Sequence, residues 1–324
     1  MEWQQLLGFY QVARLGSFTK AAAATFRSQS ALSQQVRALE AELDCLLLER
    51  LGNRLRLTPA GEKLLEFSRA LLAGYETLKE ELHELQGTNQ GTLRLAAAFT
   101  TLYRLLPDAL LAYRRKFPQV DLTLLDCSQA TVLDLVKNGE VDFGLALESL
   151  VPKELAARRW QPLVPVLLTP RDHPLTARKR LSLRQIVRYP LILPPRDPGY
   201  PWRRVLDERF RTLGLSPRIV MESANVELSA LYVEMGLGVS FATLAQAMPR
   251  PGRQLAFLPL SGYFQPDHLA LVRRRDQVLS GYKKAFINLL FGDTIMGSFQ
   301  PSAIKSQPKT IGPYCPYPPL EGGG

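Results

Sequence analysis

The sequence predicts an α/β protein preceded by an all-α, winged helix-turn-helix unit, with a long helix joining the two. Three observations lead there. Residues 1–43 carry their apolar positions at helical spacing in three short runs. Residues 61–86 carry a leucine every seven residues. From residue 87 short apolar runs alternate with helical ones, the grammar of a largely parallel sheet covered by helices.

The stretch EWQQLLGFYQVARL, residues 2–15, sets Leu6, Phe9, Val12 and Ala13 on one helical face. Gly16 stops this helix and Ser17 caps the next, FTKAAAATF, whose alanines permit close helix approach. Arg27 and Ser28 break the pattern after Phe26, and Ser28 is a good N-cap for the third helix. In that helix Leu32, Val36, Leu39 and Leu43 recur at spacings of four, three and four. Between them lie Gln29, Ser30, Ser33, Gln34 and Arg37, a face that is polar but nearly uncharged. An ordinary solvated helix carries Glu and Lys there. Three short helices, two of them joined by a very tight turn, make a tri-helical helix-turn-helix.

LLLERLGNRLRLT follows. Gly52-Asn53 is a turn signal between two short apolar/basic alternations, which predicts a two-stranded wing with Arg50, Arg54 and Arg56 in or beside it. Thr58-Pro59 then starts a long helix. Its seam of Leu64, Leu71, Leu78 and Leu85, joined by Tyr75 and Leu82, exceeds what one small domain needs and predicts pairing with a second copy. Packing against its own domain is the alternative. QGTNQGT, 86–92, reads as a hinge.

Beyond the hinge LRLAAAF reads as a strand, LYRLLPDALLAYRRKF as one helix, VDLTLLD as a strand, QATVLDLVKNG as a helix and VDFGLAL as a strand. LVPVLLT, LILPP, RIVME, GVSFAT and HLALVRR continue the theme, with helices near 202–213 and 226–235. This length suits two Rossmann-like subdomains with a cleft between them. The expected boundaries are 1–60 for the winged unit, 61–86 for the linker helix and 87–292 for the α/β region. The α/β region divides into 87–161 plus 268–292, and 162–267. Residues 293–324, with six prolines and a glycine end, are expected to be a disordered tail.

Composition sets outer limits. Hydrophobic residues make up 46% and charged ones 22%, values normal for a globular protein. No stretch is apolar for long enough to span a membrane, and the N-terminus lacks the basic-then-apolar order of a signal peptide, so a cytoplasmic protein without membrane contact is expected. Cys45, Cys127 and Cys315 are odd in number and far apart, which excludes a disulfide framework. His83, His173 and His268 stand alone in sequence, so neither a metal nor a cofactor is expected. The net charge is +10, yet residues 1–60 hold seven basic and five acidic side chains, and residues 87–292 hold 28 and 17. Bulk charge makes polyanion affinity natural but does not locate a nucleic-acid site.

LLGFYQVARLGSFTKAAAATFRSQSALSQQVRALEAEL, with RLRLTPAG after it, resembles the DNA-binding domain of LysR-type transcriptional regulators. Phe9, Val12, Gly16 to Phe18, Ala21-Ala22, Ser28 to Ser33, Leu39-Glu40 and Leu57 to Gly61 match that pattern in order. The likeness extends more loosely over about 290 residues. Two departures stand out. Asp44 replaces the glycine that usually closes the third helix, which predicts a tighter or differently shaped turn, and Leu48 replaces the wing's phenylalanine. The resemblance implies a homodimer through the linker helix, a homotetramer as a dimer of dimers on double-stranded DNA, and RNA polymerase as a further candidate partner.

The chemistry of the third helix agrees with that likeness. A major groove accepts a helix, and its base edges present both donors and acceptors. The amides of Gln29 and Gln34 carry both, Arg37 suits guanine or phosphate, and Ser30 and Ser33 are short enough to let the backbone close on the DNA. Arg54 and Arg56 would hold phosphates or reach the minor groove, which positions without specifying. A merely solvated face is the alternative for each of these residues.

The resemblance also implies that the α/β region is similar to periplasmic binding proteins and holds a small effector between its subdomains. Thr100-Thr101 and Ser128-Gln129 stand at strand-to-helix junctions, where hydroxyls and free N–H groups favour an anion. By order in the family fold Leu147, Glu148, Pro198, Tyr200, Trp202, Ser223 and Asn225 should border the same cleft. A capping role alone also accounts for the Ser and Thr residues. RRWQPLVPVLLTPRDHPL, with Trp160, is similar to the sulfur-assimilation branch of the family, in which a threonine-rich loop and a tryptophan hold a sulfate-like anion. Leu147 stands where that branch has a threonine, so a small carboxylate fits as well as sulfate.

An α/β enzyme is the rival class, and a DNA-binding regulator without an effector is the second. The sole near match to a dinucleotide fingerprint, GLG at 236–238, follows a helix and precedes a strand, which reverses the required context. No P-loop, G-x-S-x-G or H-E-x-x-H occurs, so no catalytic residue is assigned and the chain is not read as an enzyme.

Overall fold

The computed structural model describes residues 1–51, 54–178, 180–197, 200–245 and 254–292. The first three helices are α1 (Trp3–Leu15), α2 (Phe18–Thr25) and α3 (Gln29–Leu43). Local chemistry sets their ends. Gly16, at φ 60°, closes α1, and the Ser17 side chain accepts the Lys20 N–H to start α2. Phe26, at φ 53°, closes α2, and the Ser28 hydroxyl accepts the Ala31 N–H at 3.1 Å to start α3. Such a cap contributes about 1 kcal/mol.

The turn after α3 departs from expectation. Asp44 adopts the left-handed conformation, at φ 49°, that a closing glycine would supply, and its N–H reaches the Glu40 carbonyl. The turn therefore keeps the glycine geometry and carries its strain in an aspartate.

Leu32, Val36 and Leu39 bury the apolar face of α3, joined by Phe9 and Val12 of α1, Ala21 and Ala22 of α2, and Leu47. The wing consists of β1 (Leu48–Leu51) and β2 (Arg54–Leu57), paired antiparallel with Leu48 opposite Leu57. The turn expected at Gly52-Asn53 lies outside the described residues. Glu40 Oε1 accepts the N–H groups of Leu47 (2.9 Å) and Leu48 (3.3 Å), which ties α3 to the wing. Thr58 caps α4 (Pro59–Leu85), and a Cβ at Gly61 would collide with the Leu47 carbonyl.

The α/β region runs β3 (Gly91–Ala97), α5 (Phe99–Arg104), α6 (Pro107–Lys116), β4 (Val120–Asp126), α7 (Gln129–Lys137), β5 (Phe143–Leu147) and β6 (Leu155–Pro170). It continues with α8 (Leu183–Ile186), β7 (Leu191–Leu193), α9 (Pro201–Thr212), β8 (Ile219–Glu222), α10 (Val226–Glu234), β9 (Val239–Ala245), β10 (Leu255–Pro259), β11 (Asp267–Arg274) and α11 (Gly281–Phe291). The strand order is β4-β3-β5-β11-β6-β9-β7-β8, with β10 on β6.

The sheet is mixed rather than largely parallel. Strands β4, β3 and β5 are parallel, as are β8, β7 and β9, but β11 and β6 join the two sets antiparallel. The sixteen-residue β6 belongs to both halves: Leu155–Leu163 pair with β11, and Leu163–Leu168 pair with β9. The segment expected as one helix over 102–117 is two, because Pro107 has no N–H for a continuing helix. Strands β3 and β5 are buried on both faces. Leu93, Leu95, Phe143 and Leu145 meet Tyr113 and Phe286 on one side, while Ala96 and Ala146 meet Val132 and Val136 on the other. Leu191, Leu193, Leu206 and Phe210 fill the core of the other half.

Among the described residues no helix is long and apolar enough to cross a membrane.

Candidate functional site

The exposed side of α3 is the first candidate. Gln29, Ser30, Gln34 and Arg37 are exposed and Ser33 is half-buried, while Leu32, Val36 and Leu39 point inward. Gln29 Oε1 accepts a long bond from the Thr19 hydroxyl (3.3 Å), and Ser30 Oγ lies 3.0 Å from Ser28 Oγ. These partners are local, and the face meets no other part of the fold through them. Arg56 is exposed on β2, opposite Glu49 of β1. The backbone of Arg54 begins β2, and its side chain lies outside the described residues.

The second candidate is a cavity of about 350 Å³ between the two halves of the α/β region. Its walls come from the carboxyl ends of parallel strands, where chain reversals leave a crevice in α/β sheets. One half supplies Ala98 to Thr101 after β3, Asp126 to Gln129 after β4, and Leu147 at the end of β5. The other supplies Pro194 after β7, Tyr200 and Trp202 at the start of α9, and Ala224 to Val226 after β8. Leu163, Thr243 and Leu269 come from the antiparallel strands at the back.

The N-termini of α5, α7 and α10 therefore all face this space. Ser128 caps α7 by accepting the Thr131 N–H, and Asn225 Oδ1 caps α10 by accepting from Glu227 (2.8 Å) and Leu228 (3.2 Å). Gln129 Oε1 accepts the Leu147 N–H at 3.0 Å, which ties the start of α7 to the end of β5. Among the described residues no Lys, Arg or His side chain lines the cavity, and the one carboxylate that does is Asp126. Burial, then the Asp126 charge, pushes the Cys127 thiol up, so it stays protonated. A second cavity of about 360 Å³ shares Leu147, Trp202 and Thr243 with the first.

Thr100, Thr101, Ser128, Gln129, Leu147, Tyr200, Trp202 and Asn225 are thus brought together around one space. Pro198 lies outside the described residues. Three expected residues stand elsewhere. Trp160 is half-buried against the core between β6 and α11, with its Nε1 donating to the Leu290 carbonyl at 2.9 Å. Glu148 is turned to Arg159, whose Nε lies 2.7 and 2.6 Å from its two oxygens. Ser223 bonds to the backbone of Asn225 and shapes the turn before α10. Asp126, Pro194 and Thr243 were missed by sequence reasoning, although each ends or follows a strand it had drawn.

Among the described residues one group of metal-ligating side chains, Glu148, Asp267 and His268, has ligand atoms within 4.8 Å of one another. Both carboxylates are engaged, Glu148 by Arg159 and Asp267 by the Ser149 hydroxyl and the His268 N–H.

Comparison with known proteins follows the same division. Residues 3–62 match the family model described as bacterial regulatory helix-turn-helix protein, lysR family. Residues 86–292 match the LysR substrate binding domain. The transcriptional regulator CysB of Burkholderia cenocepacia is 30% identical over 276 residues, 85% of this chain and 88% of that protein. The transcriptional activator CmpR of Synechocystis is 30% identical over 284 residues, 87% of this chain and 92% of that one. The cofactor-binding domain of the Cbl transcriptional regulator superposes with a TM-score of 0.55 at 29% identity, covering 63% of this chain and 89% of that structure. A full-length OxyR variant from Pseudomonas aeruginosa shares the fold at 23% identity, with a TM-score of 0.63 over 92% of this chain and 99% of that one.

Proposed function

The chain belongs to the LysR family of bacterial helix-turn-helix transcriptional regulators, and from that membership we propose how its residues divide the work. It is a DNA-binding regulator with an effector-binding domain and not an enzyme. The α3 face reads bases. Gln29 and Gln34 offer paired donors and acceptors to adenine, Arg37 reaches guanine or phosphate, and Ser30 and Ser33 allow close approach. Arg54 and Arg56 hold the adjoining backbone.

The observation that carries this reading is the contrast between the two sides of α3. The apolar side is spent on the fold, and the side left outside is amide, hydroxyl and one guanidinium. Selection of bound genomic fragments followed by footprinting tests it. Binding without sequence preference, or insensitive to salt, would defeat it.

The cavity takes a small organic anion, and a carboxylate suits it better than sulfate. Three helix N-termini favour one negative charge, but among the described residues no cationic side chain lines the cavity to neutralise two, and Asp126 opposes a second. Phe99, Tyr200 and Trp202 offer apolar surface for the rest of the molecule. Thermal shift with sodium benzoate against sodium sulfate distinguishes the two. Stabilisation by sulfate alone would reverse the preference.

The exposed α4 seam supports a homodimer, with Leu71, Tyr75, Leu78, Leu82 and Leu85 all exposed in the single chain. Such a dimer sets two α3 helices on one DNA face, and a homotetramer on a longer site extends the same logic. RNA polymerase is the proposed downstream partner.

A further inference from the structure

The α4 helix does not merely leave the winged unit; it docks on the far end of the α/β region. Thr77, Glu80 and Glu84, spaced three and four apart, touch the chain at residues 278–283. The Thr77 hydroxyl donates to the Val278 carbonyl at 3.4 Å. Glu84 accepts the Gly281 N–H at 3.1 Å and so caps α11, whose own N-cap Ser280 makes no side-chain cap bond. A Cβ at Gly281 would collide with the Glu84 carboxylate.

Between these contacts sits Lys283, 7% exposed, with its ammonium 2.7 Å from Glu80 and 2.9 Å from Asp142. Those two carboxylate side chains are 11% and 10% exposed. Glu80 comes from the linker helix and Asp142 immediately precedes β5, so one cation joins two parts of the protein. Asp142 also accepts the Arg94 N–H of β3 at 2.7 Å, and the Tyr282 hydroxyl lies 3.5 Å from the Thr92 carbonyl. A cavity of about 320 Å³ opens beside the cluster, lined by Arg69, Glu80, Arg94, Asp142 and Lys283 among others.

We propose that Lys283 is the positioning residue that docks the linker helix on the effector-binding domain, and that its Glu80 contact is the half that releases. The charge arrangement favours release on that side. When Glu80 leaves, Lys283 keeps Asp142 and no buried charge is stranded, whereas loss of Lys283 would strand two carboxylates.

The joint is also wired to the cavity. Strand β3 begins at Gly91 beside Tyr282 and ends at Ala97, one residue before the cavity wall. Strand β5 runs from Phe143, next to Asp142, to Leu147 in the same wall. Two adjacent buried strands therefore have the cavity at one end and the joint at the other, roughly 20 Å apart. Movement of these strands on occupancy would bear on Asp142 and hence on Lys283.

This coupling rests on the effector reading above, and the test separates the two. Hydrogen exchange is measured on full-length wild type and Glu80→Gln, a change that leaves the Lys283–Asp142 pair intact. Amides of residues 76–86 are expected to exchange about tenfold faster in the variant, with β3 and β5 unchanged. Equal exchange at 76–86 overturns the proposal. So does loss of protection throughout residues 87–292, which would make Glu80 a general support.

In a second arm, sodium benzoate or sodium sulfate is added to each protein. A salt that protects residues 98–105 in both, and alters 76–86 in wild type alone, supports the coupling; an equal response at 76–86 overturns it. If neither salt protects 98–105 or 128–133, the effector reading fails, and the joint is decided by the first arm.

Discussion

Arg104 and Glu227 clasp each other across the cleft. Arg104 Nε lies 3.0 Å from Glu227 Oε1, and Nη2 lies 2.6 Å from Oε2, so the contact is bidentate. Arg104 ends α5 in one half, and Glu227 lies in the first turn of α10 in the other. The bond to Glu227 outweighs burial and raises the guanidinium further above its ordinary range, so it stays charged. Arg104→Gln is expected to cost about 1–3 kcal/mol and to speed exchange at residues 226–229. Denaturant melts and hydrogen exchange check this. Unchanged exchange there would show that the clasp does not hold the cleft.

Base reading and helix capping can be separated on neighbouring residues. Gln29→Ala is expected to weaken binding to a selected site by about 1–3 kcal/mol with little change in stability. Ser28→Ala, which removes the bond to the Ala31 N–H, is expected to lower stability by about 1 kcal/mol. Anisotropy titrations beside thermal melts distinguish the two. A Gln29→Ala protein that discriminates sites as well as wild type sinks the base-reading role.

The strain at Asp44 gives a stabilising change. Its φ of 49° suits glycine, so Asp44→Gly is expected to raise stability by about 0.5–1 kcal/mol without altering DNA affinity. Phe26, at φ 53° and 97% exposed, predicts the same sign for Phe26→Asn. A fall in melting temperature for both would contradict the strain argument.

Self-association is expected to depend on the α4 seam. Leu78→Glu paired with Leu82→Glu adds charge to two residues about half exposed in the single chain, so folding should survive while the dimer does not. Sedimentation of the purified variant as a monomer at micromolar concentration is the expected result. Sedimentation identical to wild type would move the dimer interface elsewhere.

Asp207 sets one acid limb of stability. Burial would raise its pKa, but hydrogen bonds from Arg203 and Arg196 prevail and hold the carboxyl below its ordinary range. A depressed folded pKa gives stability that is present above the unfolded value, near 4, and is lost as pH falls through the folded one. Wild type should therefore lose stability more steeply below about pH 4 than Asp207→Asn. Parallel melting curves over that range would remove Asp207 from the account.

What was legible in the sequence was local. Ser17, Ser28 and Thr58 announce their helices because a cap bonds within its own turn. Thr100 and Ser128 were placed at the cavity for the same reason, since a strand-to-helix junction is written in a few consecutive residues, whereas Asn225 came only from order in the family fold. Leu163, Thr243 and Leu269 were not legible, because strand pairings far apart in sequence bring them to the cavity. Trp160 shows the limit from the other side. A resemblance put it in the cleft, yet its place in the long β6 turns its indole toward Leu290. The split at Pro107 was readable, since the proline stood in plain view inside the expected helix.

The position of β11 has a consequence for synthesis on the ribosome. Strand β5 is complete at residue 147, but its antiparallel neighbour begins only at residue 267. At about 5–20 residues per second, the first half waits roughly 6–24 s with an open, apolar strand edge. During that interval the nascent chain offers a template for wrong pairing, and a folding helper would find its natural substrate there. Slow codons after residue 147 would lengthen this exposure, whereas slow codons before it would not.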